Sequence, residues 1–236
     1  MKKETKEAKG LLAIWTDVDE DYRIEYQKWH NCQHMIERVS IPGFQVGRRY
    51  QGIGEAPDFL MYYETDDSKV MAGGSYMHAI NHPTPWTREA ITHLKNIVRS
   101  IYCLMSSAGQ KAPTEACYLF LIRFNLKPGD ENKLIQWFKE EHLSRVTAIP
   151  GVYRARLYEM DDEVSSISTE ERKIHGGKAG LQKYLAFYEI SGLDLLEGKE
   201  WKDSMEWVQD GAVSQKLENV QKESYWLDFS MYAPKS

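Results

Sequence analysis

The segment YQKWHNCQHMIERVSIPGFQVGRRYQ, residues 26–51, sets His30, His34 and Glu37 at i, i+4 and i+7. At about 100° per residue these positions share one flank of an α-helix, beside the stripe that carries Trp29. A carboxylate beside an imidazole orients the ring and holds its proton, which general acid–base catalysis requires. His34 is therefore the candidate for moving a proton and Glu37 for orienting it, with Trp29 and His30 at the substrate. In FQVGRRYQ, strand alternation puts Phe44, Val46, Arg48 and Tyr50 on one face and Gln45, Gly47, Arg49 and Gln51 on the other. A cation and a phenol on an otherwise apolar face suit an anionic, aromatic or enolate-like ligand, which makes Arg48, Arg49 and Tyr50 candidate substrate-binding residues. A purely structural role competes with this one: the histidine fixes the Ile-Pro-Gly turn, and the arginines pair with helix carboxylates across the sheet edge.

His30 and His34 share their spacing with His78 and His82 in HAINH. Four converging imidazoles would suit zinc, iron, copper or haem. Pro83 interrupts the second pair's helix and no Asp or Glu completes a triad, so the expected site holds no metal and its chemistry uses no cofactor. A metal- or haem-binding protein using His30, His34, His78 and His82 is the alternative. A ligand-binding or stress-response module without chemistry is a third reading.

The same residues return later in the chain. With His142 set under His34, an offset of 142 − 34 = 108, Trp29 meets Trp137, Ile41-Pro42-Gly43 meets Ile149-Pro150-Gly151, Arg48 meets Arg156 and Tyr50 meets Tyr158. FLMYYE (59–64) is answered by YLAFYE (184–189), and Trp86 more loosely by Trp201. The chain is an internal duplication. His142, Arg156 and Tyr158 are thus the pseudo-symmetric counterparts of the first site, and Trp86 joins its substrate-binding set. His30 is replaced by Phe138 and Glu37 by Arg145, so the first half is the expected acid–base site.

Each half has the order β-α-β-β-α-β. LLAIWT is an apolar strand. Residues 20–39 form a helix whose stripe is Tyr22, Tyr26, Trp29, Cys32, Ile36 and Val39, ended by Ile-Pro-Gly. FQVGRRYQ and FLMYYE are strands, followed by a helical region broken at PTPW and a last strand, IVRSIYCLM. The second half repeats this as CYLFLIRFNL, a helix near 130–147, VYRARLYEM, KYLAFYEI, a helical stretch over 194–219, and SYWLDFSMY. The polar, glycine-containing DDEVSSISTEERKIHGGKAG is extra and is expected to be a solvated loop or hairpin extension near 160–183. The fold class is α+β: two ferredoxin-like repeats, residues 1–109 and 110–236, packed sheet to sheet.

A helix with Trp-x4-His, then Ile-Pro-Gly-Phe/Val and a strand with Arg-x-Tyr resembles the EthD-like family of the dimeric α+β-barrel superfamily, here as a tandem fused repeat. That resemblance implies an intrachain barrel. The superfamily holds cofactor-free monooxygenases, isomerases, cyclases and haem enzymes, so fold leaves the reaction open. The residues favour a cofactor-independent isomerase, cyclase or lyase acting by proton transfer on an anionic, unsaturated or aromatic-derived substrate, as in aromatic compound catabolism.

Composition bounds the partners. With 30 basic and 35 acidic residues the net charge is −5 and no basic segment stands out, which argues against nucleic acid. Three widely spaced cysteines encode no disulfide framework, and MKKETKEAKG carries no apolar leader; a cytoplasmic, membrane-free protein is expected. Internal pairing removes the usual reason to dimerise without forbidding a homodimer.

Overall fold

The computed structural model describes residues 7–129, 131–209 and 213–234. Most of the charged start of the chain, and positions 130 and 210–212 of the expected second-half helices, lie outside the described residues. In the first half β1 (Gly10–Val18) leads through a short 3-10 turn into α1 (Arg23–Trp29), a π-helical turn at His30–His34, and α2 (Met35–Val39). Strands β2 (Phe44–Ile53) and β3 (Phe59–Thr65) follow, then α3 (Gly74–Asn81), α4 (Pro85–Ala90) and β4 (Leu94–Gly109). The second half runs β5 (Tyr118–Leu126), α5 (Glu131–Trp137), a π turn at Phe138–His142, α6 (Leu143–Thr147) and β6 (Val152–Met160). It continues with α7 (Asp162–Ser166), α8 (Glu170–His175), β7 (Tyr184–Ile190), α9 (Lys199–Ser204), α10 (Glu206–Gln209) and β8 (Leu217–Tyr232).

The eight strands form one closed antiparallel barrel in the order β1-β3-β2-β8-β5-β7-β6-β4. Strands of the first half occupy one arc and those of the second half the other. The arcs are joined edge to edge, β2 to β8 and β4 to β6. This explains why β4 and β8 reach 16 residues, longer than their apolar cores suggest. Each serves its own half with one end and the other half with its remainder: β4 pairs β1 through Leu94–Cys103 and β6 through Tyr102–Gly109. Residues 217–219 accordingly belong to β8 and not to the expected helix. Closure leaves neither arc a long unpaired edge.

Three apolar clusters fill the molecule. One lies between the first-half helices and the sheet, with Tyr26, Trp29, Met35, Phe59 and Tyr63; a second is its counterpart with Phe124, Phe138, Leu143 and Trp207. The third fills the barrel with side chains from both halves, among them Leu11, Trp15, Tyr50, Tyr62, Leu119, Tyr158 and Phe187.

Two expectations about faces are corrected. Cys32 and Ile36 are exposed and Met35 is buried instead, while Tyr26, Trp29 and Val39 are buried as expected. The π turn adds a residue to the helix and rotates the buried stripe by one position. Phe44 belongs to the helix-side cluster and not to the Arg48 face, because β2 carries a register shift between Phe44 and Val46. The Ile-Pro-Gly turns are built alike in both halves, with Gly43 and Gly151 each at φ 94°, a backbone that a side chain resists.

The insertion is not a solvated loop. Asp161 and Thr169 cap α7 and α8 through Val164 N and Arg172 N, and Val164, Ile167 and Ile174 pack into the first half's core. Arg99 N donates to Lys178 O at 2.9 Å and Lys178 N to Ile97 O at 3.2 Å, which covers the stretch of β4 that β6 does not reach.

Candidate functional site

The π turn shapes the first-half site. In an α-helix, positions i and i+5 diverge; a five-residue turn stacks them instead. Trp29 and His34 therefore lie 4.3 Å apart between ring centroids, and Trp137 and His142 repeat the arrangement at 5.0 Å. Trp29 Nε1 donates to Thr87 Oγ1 at 3.2 Å, which fixes the indole. His34 and Trp29 face a cavity of about 500 Å³, mouth included, between the helices and the sheet. Its other walls include Arg38, Tyr63, Tyr76 and Arg99 of the first half, and Glu171 and His175 of the insertion. Arg38 and Glu171 pair at 2.5 Å and hold α8 over the cavity.

His34 Nδ1 is buried with no hydrogen-bond partner, leaving Nε2 as the accessible nitrogen. Burial, then Arg38 and His30, hold its pKa well below that of an ordinary histidine. The ring is neutral at physiological pH and has a lone pair to offer. The expected Glu37 contact is absent: Glu37 accepts from Gln33 Nε2 at 2.8 Å on the helix surface, so an arginine rather than a carboxylate sets the charge around His34. His30 is fully buried, its Nε2 3.4 Å from Tyr63 OH and its ring 5.7 Å from that of His34. It backs the site rather than lining it.

The remaining predicted residues do not gather here. Arg48, Tyr50, Arg156 and Tyr158 project into the barrel, on the far side of the sheet, because the helices pack on the alternate positions. There Arg156 bonds Glu64 at 2.5 Å, Glu189 at 2.8 Å and Tyr158 OH at 2.7 Å, and Arg154 bridges the same two carboxylates. Arg48 pairs with Glu115 at 2.6 Å, and Tyr50 OH donates to Ala116 O. Burial pushes the Glu64 carboxyl up, but Arg156, Arg48 and Arg154 outweigh it and hold it well below the usual carboxylate range. Arg49 lies on the helix side, paired with Asp228 at 2.7 Å and sandwiched among Tyr26, Phe59 and Phe229. Trp86 packs against the first-half core outside the cavity lining.

His142 sits in a different environment from His34. Its Nε2 bonds Tyr188 OH at 2.8 Å, and Phe138 and Trp207 fill the space around it. Burial, then Arg145, lower its pKa to about 3. The expected contrast, a carboxylate in one half and a cation in the other, is replaced by a cation in both; what differs is the open cavity beside His34.

The four histidines of the metal alternative do not converge. His78 and His82 are exposed and stacked on each other at 4.4 Å, with His82 Nδ1 2.9 Å from His78 O, whereas His30 is enclosed. Among the described residues no three His, Cys, Asp or Glu side chains group as metal ligands.

Sequence reasoning missed Arg38, Tyr63, Tyr76, Arg99, Glu171 and His175. All but Arg38 lie far along the chain from His34. The insertion did carry a signal: Thr-Glu-Glu-Arg-Lys-Ile-His-Gly is a cap, acids in the first turn, bases in the last and a glycine stop.

No family model matches the chain, and no curated protein does. Solved structures do. An anthrone oxidase-like protein superposes with a TM-score of 0.65 at 9% identity, covering 98% of this chain and 95% of that one. A Fusobacterium nucleatum protein assigned as a monooxygenase gives 0.62 at 9% identity over 95% of both chains. A chlorite dismutase variant of Candidatus Nitrospira defluvii gives 0.56 at 10% identity, covering 95% and 92%. At such identities the likeness is one of fold alone, and the fold is the α+β arrangement with a closed eight-stranded antiparallel barrel. Among the described residues no helix is long and apolar enough to cross a membrane.

Proposed function

We propose that the chain is a small-molecule enzyme that uses His34 as a base on an unsaturated or aromatic-derived carbonyl compound, without a bound cofactor. The observation that carries this is a neutral imidazole with its accessible nitrogen in a cavity that also holds a cationic wall. The α-proton of the substrate passes to His34 and leaves an enolate-like anion, which the arginines of the cavity favour. Reprotonation at another carbon makes the enzyme an isomerase; ring closure or loss of a leaving group makes it a cyclase or lyase. His142 then serves the fold, and the second half contributes through its insertion.

Incubation with a panel of such carbonyl acids in deuterated water tests this, because the anion that returns to substrate takes deuterium at its α-carbon, whichever product the rest of it goes on to form. Wild type incorporates deuterium and His34→Ala does not; equal incorporation by both contradicts the reading. A second reading is favoured by the names of two similar structures: the anion reacts with dioxygen instead of a proton. An oxygen electrode on the same mixtures separates the two.

On the repeat, our reading is that residues 1–109 and 110–236 are duplicated ferredoxin-like units of the EthD-like type. The matched Trp-x4-His, Ile-Pro-Gly and Arg-x-Tyr segments support it, as does the equivalent strand order in each arc of the barrel.

A further inference from the structure

The insertion of the second half places His175 in the wall of the first half's cavity, beside Arg99 of β4. The backbone N–H of Gly177 donates to His175 Nδ1 at 2.9 Å. Only a ring nitrogen with a free lone pair accepts such a bond, so the neutral ring carries its proton on Nε2. Two glycines make this possible. Gly176 ends α8 at φ 68°, and a side chain on Gly177 would meet the imidazole at 2.7 Å. Burial first, then Arg99 and Arg172, lower its pKa to about 4 and outweigh the opposing hydrogen bond with its own backbone, while Glu171 is engaged by Arg38. Among the described residues no protein group accepts from His175 Nε2. Arg99 donates to Tyr76 OH at 2.9 Å and has no carboxylate partner there.

We propose that His175 and Arg99 form an oxyanion site: the Nε2–H and the guanidinium hold the carbonyl oxygen of a bound keto acid or ketone as it becomes an enolate. This rests on His34 as the base. The α-carbon's C–H bond breaks, its proton goes to His34 Nε2, its electron pair forms the new C=C bond, and the carbonyl π pair moves to oxygen. The charge that arrives there meets two donors already in place. The substrate class is accordingly a carbonyl compound with an acidic α-hydrogen, and a phenolate is its stable mimic. The site is composite, since the base comes from one half and one oxyanion donor from the other.

Binding of 4-nitrophenol, followed by the visible absorbance of its phenolate, tests the assignment. Wild type is expected to bind the phenolate and to ionise the phenol at a lower pH than in free solution. His175→Ala and Arg99→Met each weaken phenolate binding on the order of tenfold, the worth of one hydrogen bond to a charged oxygen. His175→Gln, which keeps a side-chain N–H, recovers part of the loss. Arg99 lies outside the insertion, so its variant reports even if the His175→Ala insertion comes loose. Phenolate affinity unchanged in Arg99→Met and in folded His175→Ala overturns the oxyanion site. If the phenol still shifts the His34 ring signals by NMR in that case, His34 as the base survives; if it shifts none, or wild type does not bind, both fall.

Discussion

His34 and His142 occupy equivalent places beside equivalent tryptophans, yet one opens on a cavity and the other is enclosed by Phe138, Trp207 and Tyr188. Their substitutions should separate function from stability. His34→Ala is expected to lower proton transfer by roughly 10²–10⁴-fold. His142→Ala should leave turnover intact while costing about 2–4 kcal/mol, read from urea midpoints, since it empties a packed site and orphans the Tyr188 hydroxyl. The histidines also set a pH dependence. His30, His34 and His142 all have folded pKa values below their ordinary range, the last at about 3. Below about pH 6.5 the unfolded chain takes up protons that the folded chain refuses, so stability falls as pH falls. Glu64, also depressed, adds a loss of the same sign at lower pH, below the ordinary glutamate range. The urea midpoint should therefore be lower at about pH 5 than at about pH 7.5; a flat or rising midpoint contradicts the assignment of neutral buried imidazoles. The residues themselves were legible as types and spacing. Their partners were not: Glu37 stands three positions from His34 yet accepts from Gln33, four positions back on the helix surface.

At the scale of elements, the first-half helix was readable in extent but not in phase. The stripe through Cys32 and Ile36 follows α-helical spacing; the π turn exposes both and buries Met35, while Val39 is buried as expected. The repeated five-residue interval between tryptophan and histidine was the available clue. The insertion was readable as extra but not as a cover, because its role depends on contacts with Arg38, Asn81 and β4, more than 60 residues earlier. Breaking the Arg38–Glu171 pair should show that role. Glu171→Ala leaves a buried guanidinium unpaired, at a cost of about 3–5 kcal/mol if the insertion stays closed. Hydrogen exchange is expected to rise across α7 and α8 before any other region. Exchange that rises instead across the barrel strands would mean that the insertion is no separate cover.

For the molecule as a whole, the recurring Ile-Pro-Gly and Arg-x-Tyr segments mark β2 and β6, and strand alternation put Arg48 and Tyr50 on one face. What alternation could not give was which face the helices take. They take the face of Arg49, so Arg48, Tyr50, Arg156 and Tyr158 line the barrel and the expected single site is divided by the sheet. The barrel ties the halves together through two strand edges and the Arg154, Arg156, Glu64 and Glu189 network. Glu64 of the first half makes its two shortest ion pairs, with Arg154 and Arg156, across that boundary. Fragments 1–112 and 113–236 made separately should not give folded monomers, whereas co-expressed they should co-purify as a one-to-one complex; a stable first fragment by itself would contradict that account. One proton-transfer site at His34, completed by the second half, is checked by the deuterium incorporation rate of His34→Ala beside His142→Ala on the same carbonyl acid. The expected result is incorporation lost in the first and kept in the second. Loss in His142→Ala with retention in His34→Ala would place the chemistry in the other half and contradict the account.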